Sequence, residues 1–504
     1  MSDPFFITSR KRKKPLAANG KRSSKDRDEL EEDDIGPGGI DDMDLEASEV
    51  EEESDEDKRE TAAEKRLRLA KTYIRKIEED IDEGGFDAAE IDRDLIAERL
   101  KKDVLETTGK MHRRVADTLK FPIDPSTVRT CRGHKLSVTS IAFTDTGILY
   151  TGAKDGSIVK WDARTGKRLH TYAGGRASDS RTHIGHVGHV LCLATSYDGK
   201  YLASGGRDRK INVWSIAENR HLKCFTQHKD AISGLAFRKG TNQLYSVSHD
   251  RTVKVWNVDE LAYVETLFGH QDIITSVDTL TRERCVTTGG RDRTARLWKI
   301  VEESQLVFRG GAVTKDLDGS GRPRFVEGSL DVIALVDEEH FLTGGDSGTI
   351  CLWNINKKKP IFTCPQAHGL RVHQSESEGS ISTPYWITSL ATLRYSDLFA
   401  SGSCDGYVRL WRIDGGLKKF EQVSAVPMVG YVNDLALETL GAGLVKAGSI
   451  WLAAGIGQEP KLGRWERIKE ARNGSRIVEL VSSATSGGLS QRSEDEAKEG
   501  VDNL

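Results

Sequence analysis

Four histidines raise the first question of chemistry: His134, His186, His228 and His270. An aspartate follows each one 21 or 22 residues later, at Asp155, Asp208, Asp250 and Asp292. Hydroxyls stand between them at Thr151, Ser204, Ser246 and Thr288, and Ser401 lies ahead of a fifth aspartate, Asp405. Histidine, carboxylate and hydroxyl together can move protons, so one such set alone would raise acid–base catalysis. A set that recurs at fixed spacing argues otherwise. Six residues beyond each aspartate stands a tryptophan, at Trp161, Trp214, Trp256 and Trp298, and Asp405 to Trp411 repeats the interval. Buried imidazole, strand hydroxyl, turn carboxylate and indole N–H can satisfy one another's hydrogen bonds, offsetting the desolvation of each. These groups read as structural locks, one per repeat.

The elements that position them follow from the period. Trp161, Trp214, Trp256, Trp298, Trp353, Trp411 and Trp465 are separated by 53, 42, 42, 55, 58 and 54 residues, a core period near 42 with insertions. Each ends a run of β-branched residues. Gly-His pairs at Gly133-His134, Gly185-His186 and Gly269-His270, with weaker versions at Gln227-His228 and Ala367-His368, mark the repeat starts. This is the pattern of a WD40 β-propeller. The expected fold is all-β, a seven-bladed propeller over residues 125–481. Residues 128–132 should supply an outer strand to the last blade and close the ring without an open edge.

Ahead of the ring the chain changes character twice. Arg10, Lys11, Arg12, Lys13 and Lys14, followed by Lys21 and Arg22, form a basic cluster suited to nuclear import. Residues 26–57 then hold eighteen acidic residues and one basic one, so residues 1–57 should be disordered. Residues 58–120 read as a helical arm, with apolar positions three or four apart from Ala63 to Ile81 and a second stretch at about 87–119. Neither helix has the apolar surface to stand alone. Residues 482–504 read as a disordered tail.

Three repeats depart from the pattern. The fifth lacks Gly-His and places Ser347 at the locking aspartate position, so its network should be incomplete. The sixth carries a Ser-Glu-rich stretch at 368–384, expected to be a mobile loop. The seventh lacks both marks, and Trp465 is expected in its core rather than as a base-stacking platform.

Nothing in the motifs supports turnover, cofactor binding or a metal site. There is no phosphate loop followed by Lys-Ser/Thr and no nucleophile elbow. The seven cysteines form no close pair and read as small buried hydrophobes of a reducing compartment. No apolar run is long enough to span a bilayer. The net charge of −4 divides into −10 over residues 1–125 and +6 over the rest. A basic body suits a partner with phosphates. Residues just before the turn aspartates, among them Lys154, Arg207 and Arg291, should rim one face with Arg209 and Arg293 beside them. Arg464, Arg467, Lys469 and Arg472 form a second basic group. Both groups are candidate contacts to RNA phosphates.

The run Gly455-Ile456-Gly457-Gln458-Glu459-Pro460 through Gly463-Arg464-Trp465, with Ala471-Arg472-Asn473-Gly474 after it, resembles the WD-repeat family specific to the U3 small nucleolar ribonucleoprotein. Gly205-Gly206-Arg207-Asp208-Arg209-Lys210 is a second, less specific match. The resemblance implies a nucleolar, non-catalytic component that joins U3 small nucleolar RNA at its box B/C motif beside a small k-turn-binding protein. It further implies contacts with other small-subunit processome proteins and a role in processing to 18S rRNA. The competing expectation is a protein-only nuclear scaffold, such as a chromatin or acidic-peptide reader, using the same basic face.

Overall fold

Runs such as Val138–Phe143 and Ile232–Phe237 are buried along their whole length, while the fourth strand of a repeat, such as Arg168–Tyr172, is mostly exposed. That gradient, from full burial to exposure, is what a sheet standing with one edge at an axis and the other at the rim requires. The computed structural model describes residues 113–175, 183–310, 312–314, 324–326, 328–375, 379–440 and 449–481. Within these residues seven four-stranded antiparallel sheets form the blades. Six are consecutive meanders, beginning at Val138–Phe143, Val190–Thr195, Ile232–Phe237, Ile274–Thr279, Leu330–Leu335 and Ser389–Thr392. The seventh joins Tyr431–Leu440, Ser449–Gly457 and Gly474–Leu480 to Arg129–Cys131, whose residues pair as Arg129↔Ile477 and Cys131↔Ser475. The outer strand expected from residues 128–132 therefore closes the ring.

First strands touch from blade to blade around the whole ring, blade seven against blade one. The apolar core is divided among the blade junctions. Trp161 packs with Trp451 and Ile477 of blade seven, Trp256 with Phe225 and Ile211 of blade two, and Trp411 with Ile350 of blade five. Each of these indoles thus seals its blade against the one before. In blade seven the corresponding position is Val478, paired with Leu452 and packed against blade six.

The locks are present as hydrogen bonds. In blade three, His228 Nδ1 lies 2.9 Å from Asp250 and Nε2 lies 2.8 Å from Ser246 Oγ, which also accepts from Trp256 Nε1 at 2.8 Å. Blades two and six repeat this with His186, Asp208, Ser204 and Trp214, and with His368, Asp405, Ser401 and Trp411. In blade one Ser157 intervenes, 2.9 Å from His134 Nδ1 and 2.6 Å from Asp155. Blade four corrects one expectation: the lock uses Thr287, not Thr288. An extra residue separates the hydroxyl from Trp298 there, and Thr288 instead meets Thr275 at 3.0 Å. Burial alone would raise the Asp155 carboxyl, but hydrogen bonds from His134 and Ser157 prevail and hold it at about 2. Among the described residues, blade five keeps only Trp353 Nε1 donating to Thr343 at 2.9 Å, and Ser347 turns to Thr349 at 2.8 Å.

Two other expectations change. The stretch read as a mobile loop at 368–384 contains an antiparallel hairpin, Leu370–Ser375 with Gly379–Pro384. Helix to about residue 119 also fails at its described end. Arg113 bridges Ser396, and Ala116–Thr118 is a 3-10 turn whose Val115 and Ala116 amides donate to Asp397 at 2.7 and 3.1 Å. Buried Ala116 and Leu119 join the core between blades six and seven, so tertiary packing overrides local helix propensity. The import cluster, the acidic block, most of the helical arm and the C-terminal tail lie outside the described residues.

Candidate nucleic-acid interface

Antiparallel alternation puts the histidine loops and the turns between second and third strands on one face, called upper here. Those turns share one backbone requirement. The residue after the lock aspartate, or after Ser347 in blade five, has positive φ in every blade from one to six: Gly156 at 79°, Arg209 at 66°, Arg251 at 68°, Arg293 at 53°, Gly348 at 68° and Gly406 at 89°. The left-handed region disfavours any residue with a Cβ. Blades two, three and four nevertheless place arginine there, on three consecutive blades.

Arg207, Arg209 and Arg291 are exposed as expected, Arg293 is half-buried, and Arg251 is exposed. Arg251 is not among the residues expected from sequence, because blade three has His249 and not a cation before its aspartate. The signal was available, since Arg251 follows Asp250 as Arg209 follows Asp208.

Lys154 is a correction. It is 4% exposed, and its ammonium donates to the Gly463 carbonyl at 2.7 Å and to Glu459 at 3.3 Å. Desolvation lowers its pKa despite the Glu459 contact. A lysine committed in this way is a strut between blade one and blade seven, not a phosphate contact.

The segment it holds replaces the tight turn of blade seven. Residues 458–473 connect Ser449–Gly457 to Gly474–Leu480. Asn473 and Gln458 close the base of this loop: Gln458 N–H donates to Asn473 Oδ1 at 2.9 Å and Gln458 Nε2 to the Ala471 carbonyl at 2.8 Å. Ser137 of blade one accepts from the Glu459 amide at 3.1 Å. Arg467 donates twice to Gln458 Oε1, at 2.7 and 3.0 Å. That neutral acceptor fixes the guanidinium fork without cancelling its charge. Arg464, Arg467, Lys469 and Arg472 are all exposed along the loop. The expected second basic group is therefore on the upper face, beside blade one.

Trp465 contradicts the core expectation. It is 61% exposed, and its ring lies 5.9 Å, centroid to centroid, from that of Trp386, itself 40% exposed. The sequence period misled because the true third strand of blade seven starts at Gly474, beyond the loop. Glu466 beside it is held by Arg371 of the hairpin and by the Tyr431 hydroxyl. Lys461, Leu462 and Trp465 line the mouth of the axial cavity of about 550 Å³, together with His249, Asp346 and Trp386. Among the described residues no group of histidine, cysteine or acidic side chains is arranged to hold a metal ion. The seven cysteines are free.

A face of cations fixed to turns and to one braced loop has the chemistry to follow a phosphate backbone, with no base-reading pocket required. Comparisons with known proteins bear on the partner. The WD domain, G-beta repeat model matches residues 125–162, 178–215, 219–257, 262–299 and 376–412, passing over the fifth and seventh blades. The chain is 50% identical to human U3 small nucleolar RNA-interacting protein 2 over 354 residues, 70% of this chain and 69% of that one. It is 33% identical to ribosomal RNA-processing protein 9 of Saccharomyces cerevisiae, over 64% of this chain and 65% of the relative. A crystal structure described as RRP9 WD40 repeats superposes with a TM-score of 0.63 at 46% identity, covering 72% of this chain and all of the other.

Proposed function

The chain belongs to the family of U3 small nucleolar RNA-interacting protein 2, and from that premise we propose that its upper face docks it on the box B/C region of U3 small nucleolar RNA. It is a WD40 component of the U3 ribonucleoprotein in ribosome biogenesis, and it works as a scaffold without chemistry of its own. The small k-turn-binding protein shares the RNA junction, and the assembled particle supports processing to 18S rRNA within the small-subunit processome. The cluster Arg10, Lys11, Arg12, Lys13, Lys14, Lys21 and Arg22 delivers the protein to the nucleus, and RNA retains it in the nucleolus.

The observation that carries this reading is the placement of the cations. Arg207, Arg209, Arg251, Arg291 and Arg293 on three adjacent blades share one face with Arg464, Arg467, Lys469 and Arg472. Arginine forks suit phosphate, and structured RNA is read through shape and backbone. The protein-only scaffold would use the same surface with no preference for structured RNA.

The test is binding of the full chain to a U3 box B/C duplex across a salt series, with and without the k-turn protein. A charge-reversal variant at Arg464, Arg467 and Arg472 goes through the same series. The expected result is specific binding that tightens with the k-turn protein, weakens with salt and drops in the variant. Equal affinity for unrelated duplexes, with the variant unaffected, would leave a protein platform in its place.

A further inference from the structure

Trp386 and Trp465 are the two tryptophans left open on the upper face. Exposed indoles are unusual, because each forgoes apolar burial that a folded chain normally gains. Here the exposure is built in. The Trp465 ring occupies the space where a Cβ of residue 463 would stand, with ring carbons 1.6, 1.9 and 2.6 Å from that point. Only glycine at 463 lets the indole rest on the loop backbone. The Gly463 carbonyl is held by the buried Lys154, and Glu466, which follows Trp465, is held by Arg371 and Tyr431. The ring is thus positioned from below and from the side, and still 61% of the residue faces solvent. Trp386 stands 5.9 Å away at 54°, so the two rings form an open wedge and not a closed stack.

Exposed cations share the loop with Trp465, and one of them, Arg464, also lies 3.4 Å from Glu459. Arg464 precedes Trp465, and Arg467, Lys469 and Arg472 follow two, four and seven residues later. Aromatic faces interleaved with arginines are the arrangement that takes single-stranded nucleic acid, phosphates on the cations and bases on the rings. A paired helix offers no free base face and would leave the wedge unused.

We infer that Trp386 and Trp465 form a stacking site for an unpaired nucleobase of the bound RNA. The inference rests on the RNA-docking reading above and adds an element to it. The basic loop recognises a bulged or single-stranded nucleotide next to the helix whose backbone the upper face follows. Stacking is sequence-tolerant, so the site selects an unpaired base and not a particular one.

The experiment uses the full chain and two RNA probes, a hairpin with a three-nucleotide bulge and the same hairpin fully paired. Trp465→Ala, Trp386→Ala and Trp465→Phe are compared with the unaltered protein at one salt concentration and across a series. Thermal melting checks that exposed-site variants remain folded. The unaltered protein is expected to prefer the bulged hairpin. Either alanine variant should lose about ten-fold on that hairpin, lose nothing on the paired one, and keep its salt dependence. Trp465→Phe should recover most of the loss. Equal affinity of the unaltered protein for both probes would overturn the inference, as would a loss of equal size on both. Unchanged RNA affinity in the alanine variants, with lost association of processome proteins, would overturn it in favour of a protein anchor. Charge reversal at Arg464, Arg467 and Arg472 distinguishes the two levels: if it too has no effect on either probe, the RNA-docking reading fails independently.

Discussion

Arg209, Arg251 and Arg293 occupy the turn position where blades one, five and six carry glycine. A left-handed backbone at a residue with a Cβ costs on the order of 1 kcal/mol, and glycine returns part of that as unfolded-state entropy. Arg209→Gly and Arg251→Gly together should therefore be neutral to stabilising by up to about 1 kcal/mol in denaturant unfolding. The same double variant should weaken RNA binding and flatten the slope of log affinity against log salt by about two. A gain in stability with unchanged RNA affinity would make these arginines plain surface. At this scale much was legible: four of the five lock hydroxyls follow from counting residues. Thr287 did not, because the ten-residue spacing to Trp298 points to Thr288, and only strand register turns Thr287 to the indole.

Among elements, the blades differ in how much holds them. Ser246 Oγ of blade three serves both His228 and Trp256, while Thr343 of blade five serves Trp353 without a lock histidine among the described residues. Removing an acceptor leaves its buried donors unsatisfied, at about 1–3 kcal/mol each. Ser246→Ala should then cost about 1–2 kcal/mol more than Thr343→Val, measured by chemical denaturation at neutral pH. Equal costs would mean that the fifth blade is locked by contacts outside this network. The loop at 458–473 shows the opposite limit of sequence reading. Its basic residues were recognisable in sequence, but the role of Lys154 as its strut and the exposure of Trp465 arise from contacts between blades one, six and seven.

The whole ring responds to pH through two sets of carboxyls that shift in opposite directions. Asp155, and likewise Asp208, Asp250 and Asp292, are held below the ordinary carboxylate range: burial opposes ionisation, but hydrogen bonds with their histidines and neighbours outweigh it. Their contribution is complete above the unfolded value near 4 and is lost as pH falls towards about 2. Glu438 and Asp331, in the wall of the axial cavity, are raised by desolvation to about 7 and about 6, with the nearby Asp145 and Asp346 adding to the shift. A raised carboxyl favours the folded state below its unfolded value, and that gain disappears as pH climbs through the folded one. The melting temperature should rise from pH 8 to about pH 5 and fall below about pH 4. Glu438→Gln should remove much of the rise between pH 8 and pH 5. A melting temperature flat from pH 5 to pH 8 would mean that these acids are not desolvated in solution.

By itself the sequence determined the architecture, because a propeller repeats one local solution. Period, turn residues and lock groups recur within about 42 residues, and the closing strand follows from the surplus run before the first Gly-His. Family membership was likewise carried by a local run in the last repeat. Tertiary structure decided everything that depends on two blades meeting. It buried Lys154, drew the hairpin beside the blade-seven loop, laid residues 113–119 against blades six and seven, and lifted Trp465 out of the core. The physical reason is range: lock and turn energies are set by neighbours within a repeat, whereas exposure and charge pairing are set by groups far apart in the chain, as in Lys154 and Glu459 across 305 positions.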